Sequence, residues 1–385
     1  MSEMSYLEKL LDGVEVEWRN LGDTSLFEIA NNGRKPVKAS LRIAGETPYY
    51  GANNIQDYVD GYTHDGEYVL IAEDGSASLE NYSIQYATGK FWANNHVHVV
   101  RGKERIHSRF LYHYLCIVNF LPFLTGGGRA KLTKGQLTEI PVPIPCPENP
   151  EKSLAIQSEI VRILDTFSAL TAELTAELTA ELNMRKKQYN YYRDQLLSFK
   201  EGEVEWKTLG EVAVIGTGNH DTQDAIEHGK YIFYARGREP LKLNVFDFDE
   251  TAIITAGDGA GVGKVFHYAK GKYALHQRAY RIVPNAFMNP RFVYHYITAY
   301  FFTYIQKASV SSSVTSLRRP MFLKFPIPVP PSEEQARIVE ILDKFDTLTN
   351  SITEGLPREI ELRQKQYEYY RDLLFSFPKP ETVSK

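Results

Sequence analysis

The sequence predicts an α+β protein in which two globular α/β segments alternate with two long helices, closed into a circular repeat. Three observations predict it. A stretch from Ile163, ILDTFSALTAELTAELTAELNMRKKQYNYYRDQLLSF, lies without a gap over one from Ile341, ILDKFDTLTNSITEGLPREIELRQKQYEYYRDLLFSF, at an offset of 178 residues. The segments that precede these stretches also correspond, more loosely. Finally, the N-terminal LLDGVEVEWRNLGD matches LLSFKEGEVEWKTLGE, which follows the first long helix, with Trp18 over Trp206 and Gly22 over Gly210. The chain reads as a two-unit ring cut just inside a helix.

Bulk properties bound the answer. At 385 residues, with 43% hydrophobic and 12% aromatic residues, the chain can fill the cores of two or three domains. A net charge of -4 and a pI near 6.2 do not advertise a nucleic-acid binder, so any such role rests on local patches. Cys116 and Cys146 offer neither a disulfide framework nor metal-ligand spacing, and read as thiols of a reducing compartment. The acidic start MSEMSYLEKLLDGVEVEW lacks a signal pattern, and no run approaches the length of a membrane span. A soluble cytoplasmic protein with no membrane partner is expected.

Taken in order, residues 1–145 form the first globular segment. Within it EYVLIAEDG (from Glu67) matches ETAIITAGDG (from Glu250), and ATGKFWANNHVHVV (from Ala87) matches AKGKYALHQRAYRIV (from Ala269). Alternating apolar residues and turn glycines suggest strands in both pairs. SRFLYHYL (from Ser108) matches PRFVYHYI (from Pro290), and each opens a helix. Proline ladders follow, IPVPIPCPENPEKS and FPIPVPPSEEQ. They are expected to be extended connectors outside helix and sheet. Ser153 and Ser332 are expected helix caps, the latter in a capping box that ends at Gln335.

Residues 146–200 form the first helical region, where TAEL is written three times from Thr171 and Leu170, Leu174, Leu178 and Leu182 recur every four residues. Residues 201–330 form the second globular segment and residues 331–385 the second helical region. Each helix spans roughly 40 residues, or about 60 Å. A single apolar stripe of that length exposed to water is costly, so the two copies are expected to pair, antiparallel if the second is to return the chain to its start. The matched apolar positions are Leu174 with Ile352, Leu178 with Leu356 and Leu182 with Ile360. Gly355 and Pro357 predict a kink.

This alternation, with the TAEL run and the near-identical NMRKKQYNYYRDQLLSFKEGEVEWKTLGE and EIELRQKQYEYYRDLLFSF, resembles the specificity subunit of type I restriction–modification enzymes, over the whole chain. The resemblance implies that each globular segment is a target recognition domain reading one half of a split site in double-stranded DNA. It implies that the helices form an antiparallel coiled coil that fixes the gap and docks two methyltransferase subunits, in a complex completed by restriction/translocase subunits of the bacterial cytoplasm. The family subunit is not itself an enzyme and binds no cofactor; S-adenosylmethionine, ATP and magnesium belong to the other subunits. In the family the number of TAEL words varies with the gap, and three copies imply the longer one. The physics agrees, since four residues lengthen a helix by about 6 Å and turn it by about 40°, against about 3.4 Å and 34–36° for one base pair.

No catalytic constellation competes with this reading. TAGDGAGVGKVFHY imitates a phosphate-binding loop, but Asp258 and Val265 stand where such a loop needs Gly and Ser or Thr. Gly257, Gly259, Gly261 and Gly263 are better explained as turns that let backbone approach backbone. His96, His98, His113 and His295 lack ligand partners at metal spacing and read as structural. A stand-alone DNA-binding regulator or scaffold would share the same surfaces, and a nuclease would need metal-binding carboxylates.

DNA contacts must come from surfaces. Candidate phosphate binders are Arg34, Lys35 and Lys38; Arg129, Lys131 and Lys134; Arg236, Arg238 and Lys242; and Arg318, Arg319 and Lys324. Candidate base readers are Asn53, Asn54 and Gln56 after a strand-like run, Arg236 and Arg238 at the equivalent place, and His276, Gln277 and Arg278. Tyr189, Tyr192, Arg193, Tyr367, Tyr370 and Arg371 recur almost unchanged although half-sites should differ. They are assigned to helix packing or to partner docking.

Overall fold

The computed structural model describes residues 10, 13–126, 130–200, 202–308, 317–351 and 353–377. The chain divides into two compact units, Met1–Ala176 with Glu361–Lys385, and Glu177–Ile360. The division falls inside the second TAEL word.

The first unit holds strands β1 (Val16–Asn20), β2 (Phe27–Ile29), β3 (Ala44–Tyr50), β4 (Ile55–Val59), β5 (His64–Asp65), β6 (Tyr68–Ala72), β7 (Ile84–Ala87), β8 (Lys90–Ala93), β9 (Val97–Gly102) and β10 (Pro141–Pro145). They make two four-stranded sheets, β2-β9-β6-β7 and β4-β3-β8-β5, and a ribbon β1-β10. Helices α1 (Ser108–Leu115) and α2 (Lys134–Thr138) follow, then the start of the 47-residue α3 (Pro150–Leu196). The apolar face of the first sheet, including Val69 and Ile71, is buried with Phe110 and Leu111 of α1 and Ile160 and Leu164 of α3. The alternation read from Glu67 is the physical cause, since one strand face seeks a helix and the other a second cluster around Leu70 and Phe91.

The second unit holds β11 (Glu205–Thr208), α4 (Leu209–Val212), β12 (Ala213–Thr217), β13 (Tyr231–Tyr234), β14 (Leu241–Leu243), β15 (Phe248–Ala256), β16 (Phe266–Leu275), β17 (Ala279–Pro284), α5 (Pro290–Ala308), α6 (Arg319–Leu323), β18 (Pro326–Val329), α7 (Ser332–Asn350) and the start of α8 (Gly355–Leu374). Its strands form one six-stranded sheet, β12-β17-β15-β16-β13-β14, beside a ribbon β11-β18. The ten-residue β16 runs unbroken through Gly271, whereas the matching stretch of the first unit divides at Thr88–Gly89 into β7 and β8. Both glycines are left-handed, with φ of +85° and +68°.

Three local expectations change. The proline ladders are strands, β10 and β18, each paired with the strand that opens its unit. In a strand, alternate N–H groups point to opposite edges, so Pro141, Pro143 and Pro145 lack donors on one edge only. The other edge is intact: Leu21 N donates to Ile140 O and Cys146 N to Glu15 O, at 2.9 and 2.8 Å. Neither predicted serine caps a helix. Asn149 Oδ1 accepts from Lys152 N at 3.0 Å, while Ser153 is buried inside α3. Pro331 precedes α7, and Gln335 Nε2 reaches back to Pro330 O at 2.9 Å. Finally, the second helix is broken, not kinked. It stops at Asn350 and restarts at Gly355, whose φ of +79° and close approach to Thr347 O (2.6 Å from an added Cβ) exclude other residues.

The joint between the sheet-packed helix (α1 or α5) and the long helix that follows (α3 or α7) is made twice, contact for contact. In the first unit the buried Gln157 accepts from His107 N (2.8 Å) and donates to Arg105 O (3.1 Å); in the second Gln335 accepts from Asn289 N (2.7 Å) and donates to Phe287 O (3.2 Å). Asp165 receives Arg109 and His113 at 3.0 and 2.7 Å, and Asp343 receives Arg291 and His295, each at 2.6 Å. Burial alone would raise the Asp343 carboxyl, but bonds from His295 and Arg291 outweigh it and hold it below its ordinary value. Trp18 meets Tyr114 edge-on at 6.2 Å, as Trp206 meets Tyr296 at 6.4 Å. Phe375 and Phe377 lie in the first core, and their repeat equivalents Leu197 and Phe199 pack into the second. The circular order of the repeat is therefore visible in each unit separately.

The helices of each unit pack against one another through the repeated tyrosines. Phe167 of α3 stacks on Tyr370 of α8 at 5.2 Å, and Ser168 Oγ donates to Tyr367 Oη at 3.1 Å, so these segments run antiparallel. In the second unit Phe345 of α7 stacks on Tyr192 at 5.5 Å and meets Tyr189 at 6.3 Å. Phe345 and Tyr192 are the repeat equivalents of Phe167 and Tyr370. Along the TAEL run Leu174, Leu178 and Leu182 are half-buried while Leu170 is exposed; Leu356 and Ile360 are half-buried. Ile352 lies outside the described residues. No helix among the described residues is long and apolar enough to cross a membrane.

Candidate nucleic-acid interface

In each unit one end of the sheet gathers polar side chains from the end of the central strand, the turn between the last two strands and the segment that leads into a short helix, joined by Arg34 in the first unit and Arg236 in the second. In the second unit the organiser is Asp258, just after β15. It accepts from Arg236 Nη1 at 2.9 Å and Arg278 Nη1 at 3.2 Å. Burial pushes this carboxyl up, but the two guanidinium groups overcome that and hold it below its ordinary value. Arg278 sits in the β16–β17 turn, whose backbone is fixed because His276 Nδ1 accepts from Arg278 N at 2.8 Å and Gly257 N donates to Arg278 O at 2.8 Å. The glycine-rich run packs against this turn and against β13. A Cβ on Gly261 would stand 2.6 Å from Arg236 O, which is the backbone approach those glycines allow. A cleft of about 740 Å³ opens between them, lined by Arg236, Arg238, Asp258 and Lys264 among others. Leu317 N donates to Gly257 O at 2.7 Å and so ties the segment that carries the exposed Arg318 and Arg319 to the glycine-rich run.

The first unit builds the same corner with other residues. Glu73, at the end of β6, takes Arg34 at 2.5 Å and Lys131 at 2.9 Å. Burial raises the Glu73 carboxyl; its bonds with Arg34 and Lys131 bring it below its ordinary value. His98 is fully buried, bonded to Asn31 and to Leu132 O, and burial lowers its pKa, so it is a neutral structural imidazole. Leu132 N donates to Glu73 O at 2.8 Å, the counterpart of the Leu317 contact. Beside Glu73, Asp74 holds His96 Nδ1 at 2.5 Å.

The candidate residues now separate. Arg34 is spent: besides Glu73 it donates to Asn31 O and Val97 O, and it pins the turn before β9. His276 is 1% exposed and burial lowers its pKa, so it supports the turn and reads nothing. Asn53 bridges to Gly75 O and Ala77 N, each at 2.8 Å, and shapes its own loop. Gln277 donates to Asp221 at 2.9 Å. Lys35, Lys38, Asn54, Gln56, Lys134, Arg238, Lys242, Arg318, Arg319 and Lys324 are exposed, as is Lys131 beside Glu73. Arg129 lies outside the described residues. Of the docking candidates, Tyr189, Tyr367 and Tyr370 are engaged in the intramolecular packing above, while Arg193 and Arg371 pair with the adjacent Asp194 and Asp372. Tyr192 stays 44% exposed.

Sequence reading gave no site role to the carboxylates Glu73, Asp74 and Asp258, and read His96 as structural, whereas its side chain is 49% exposed beside Asp74. The signal was present, because the strand alignment places Asp74 over Asp258 and His96 over Arg278. It also missed Tyr191 and Tyr369, repeat equivalents that are 62% and 64% exposed.

Comparison with known proteins agrees with the duplicated architecture. The family model described as the type I restriction modification DNA specificity domain matches residues 14–184 and again residues 201–362. A Haemophilus influenzae protein named as a type I restriction enzyme specificity subunit is 47% identical, over 97% of this chain and 98% of its own length. A type I restriction enzyme specificity subunit of Escherichia coli is 41% identical over 100% of both chains. In fold, the chain is similar to the crystal structure of a type I restriction–modification system S subunit from M. genitalium, at a TM-score of 0.58 and 17% identity, covering 98% of this chain and 100% of that one.

Proposed function

The chain belongs to the type I restriction–modification DNA specificity family, and from that premise we propose that each unit reads one half of a split site in double-stranded DNA. The observation that carries this is the contrast between joint and corner. The contacts that hold α1 to α3 and α5 to α7 are duplicated residue for residue, whereas the exposed corner repeats in position but changes in chemistry. Two readers on one scaffold need that combination when the two half-sites differ.

The physical division of labour follows. Exposed lysines and arginines around each corner contact phosphates and set register, which a chain of net charge -4 can do only with locally concentrated cations. Side chains held at the corner reach base edges. The helices fix the distance between the readers and dock two methyltransferase subunits, the exposed Tyr191, Tyr192 and Tyr369 being suited to that contact. The chain itself is non-catalytic; adenine methylation, and cleavage with the restriction subunits, draw on S-adenosylmethionine, ATP and magnesium held by those partners in the bacterial cytoplasm. Sequencing the methylome of cells that express this chain with its methyltransferase tests the reading. A modified site made of two different half-sites around a fixed gap supports it. A continuous site, or DNA binding without copurifying methyltransferase, overturns it.

A further inference from the structure

We propose that His96 is the base-reading side chain of the first unit, and that Asp74 and Asp258 are the positioning residues that present His96 and Arg278 to the two half-sites. This rests on the reading of the units as separate half-site readers.

The two positions are built alike. His96 follows β8 in the turn before β9, and its amide donates to Asn94 Oδ1 at 2.8 Å; Arg278 follows β16 in the turn before β17, and its amide donates to His276 Nδ1 at 2.8 Å. Asn94 N bonds Tyr50 O at 3.2 Å and His276 N bonds Tyr234 O at 3.0 Å, so each turn is tied to the matching parallel strand. Each reader then rests on the carboxylate that ends the central strand, His96 on Asp74 at 2.5 Å and Arg278 on Asp258 at 3.2 Å. The side chains are 49% and 61% exposed, and their carboxylates 39% and 25%.

Pinning the turn is not what these two contacts are needed for. The turn of the first unit is already closed by Asn94 and by Arg34, which donates to Val97 O at 2.9 Å; the second is closed by His276 and by the Gly257 amide. What the carboxylates fix is the direction of two otherwise mobile head groups. With Nδ1 on Asp74, His96 turns Nε2 outward, and no hydrogen bond to Nε2 is made among the described residues. That gives a single-point contact to a base edge. Arg278 has one terminal amine on Asp258 and keeps its other donors, which suits the paired O6 and N7 acceptors of guanine. The same geometry with different chemistry accounts for two half-sites with different sequences.

The test uses the full complex with its methyltransferase and a DNA library randomised at each position of the split site. His96→Ala is expected to flatten base preference at one position of one half-site, by roughly 5- to 20-fold, and leave the other half unchanged. Arg278→Ala is expected to do the same in the other half, losing about 5- to 150-fold discrimination against guanine replacements. Asp74→Asn and Asp258→Asn should each give a weaker version of the matching effect at the same position. A uniform loss of affinity on all sequences, with a smaller salt slope, would make these side chains phosphate contacts and overturn the proposal. So would unchanged base preference in the His96 and Arg278 variants of a complex that still methylates. If the wild-type complex reads no split site, the underlying reading has failed instead.

Discussion

The first unit carries two four-stranded sheets where the second carries one of six, yet both present a corner at the same place and meet their helices through the same glutamine, carboxylate and aromatic contacts. The difference shows which parts of this chain are free to vary. Buried joints depend on matched donors and acceptors, and losing one partner strands the other in a dry environment. The sheet edge and its loops carry no such constraint, so strands can split, as at Gly89, and corner residues can change from a Glu–Arg–Lys network to an Asp bridging two arginines.

Exchanging a whole reader breaks the comparison most severely. Replacing residues 24–140 with the equivalent of another family member leaves both β1 and β10 whole, so the cuts fall beside the ribbon. The methylome should show one half-site entirely changed and the other intact; a change in both halves would mean that the units do not read independently.

The glutamine joints come next. Gln157→Ala strands the His107 amide and the Arg105 carbonyl, and Gln335→Ala strands the Asn289 amide and the Phe287 carbonyl. Each loss should cost about 3 kcal/mol. Chemical denaturation should find the two costs equal to within about 1 kcal/mol; a large cost in one unit only would show that the repeated geometry hides unequal joints.

How much of this was legible beforehand follows the same line. The repeat, the strands from Glu67 and Glu250 and the helices from Ser108 and Pro290 were readable because periodicity and turn residues are local signals. The proline ladders were misread because a missing donor matters only on the edge that needs it, and which edge is paired is decided by β1 and β11 more than a hundred residues away. Arg34 and Arg236 look alike in sequence, as basic residues beside glycines. The burial of Glu73 and the placing of Asp258, both long-range facts, make Arg34 a strut and set Arg236 in the wall of an open cleft.

A smaller effect sharpens the comparison from the side of protonation. Burial lowers the pKa of His98 in the first unit and of His276 in the second from the ordinary 6.5. The unfolded chain therefore takes up protons below pH 6.5 that the folded chain refuses. Stability should fall as pH drops from 7.5 to 5.5, by up to about 1.4 kcal/mol per pH unit for each such group. His98→Gln should be less stable at pH 7.5 and lose less on acidification. A melting temperature that rises toward pH 5.5 would contradict the assignment of these imidazoles as buried and neutral.

The central claim is that the helices are a ruler between two independent readers, and it is tested most directly by deleting Thr175–Leu178. Two TAEL words remain, every corner residue is kept, and the continuing helix is shortened by about 6 Å and turned by about 40°. Methylome sequencing should then find the same two half-sites separated by one base pair fewer, with the original spacing largely ignored because meeting it requires deforming the duplex. An unchanged gap would show that spacing is set elsewhere, and altered half-site bases would place base reading on the helix itself.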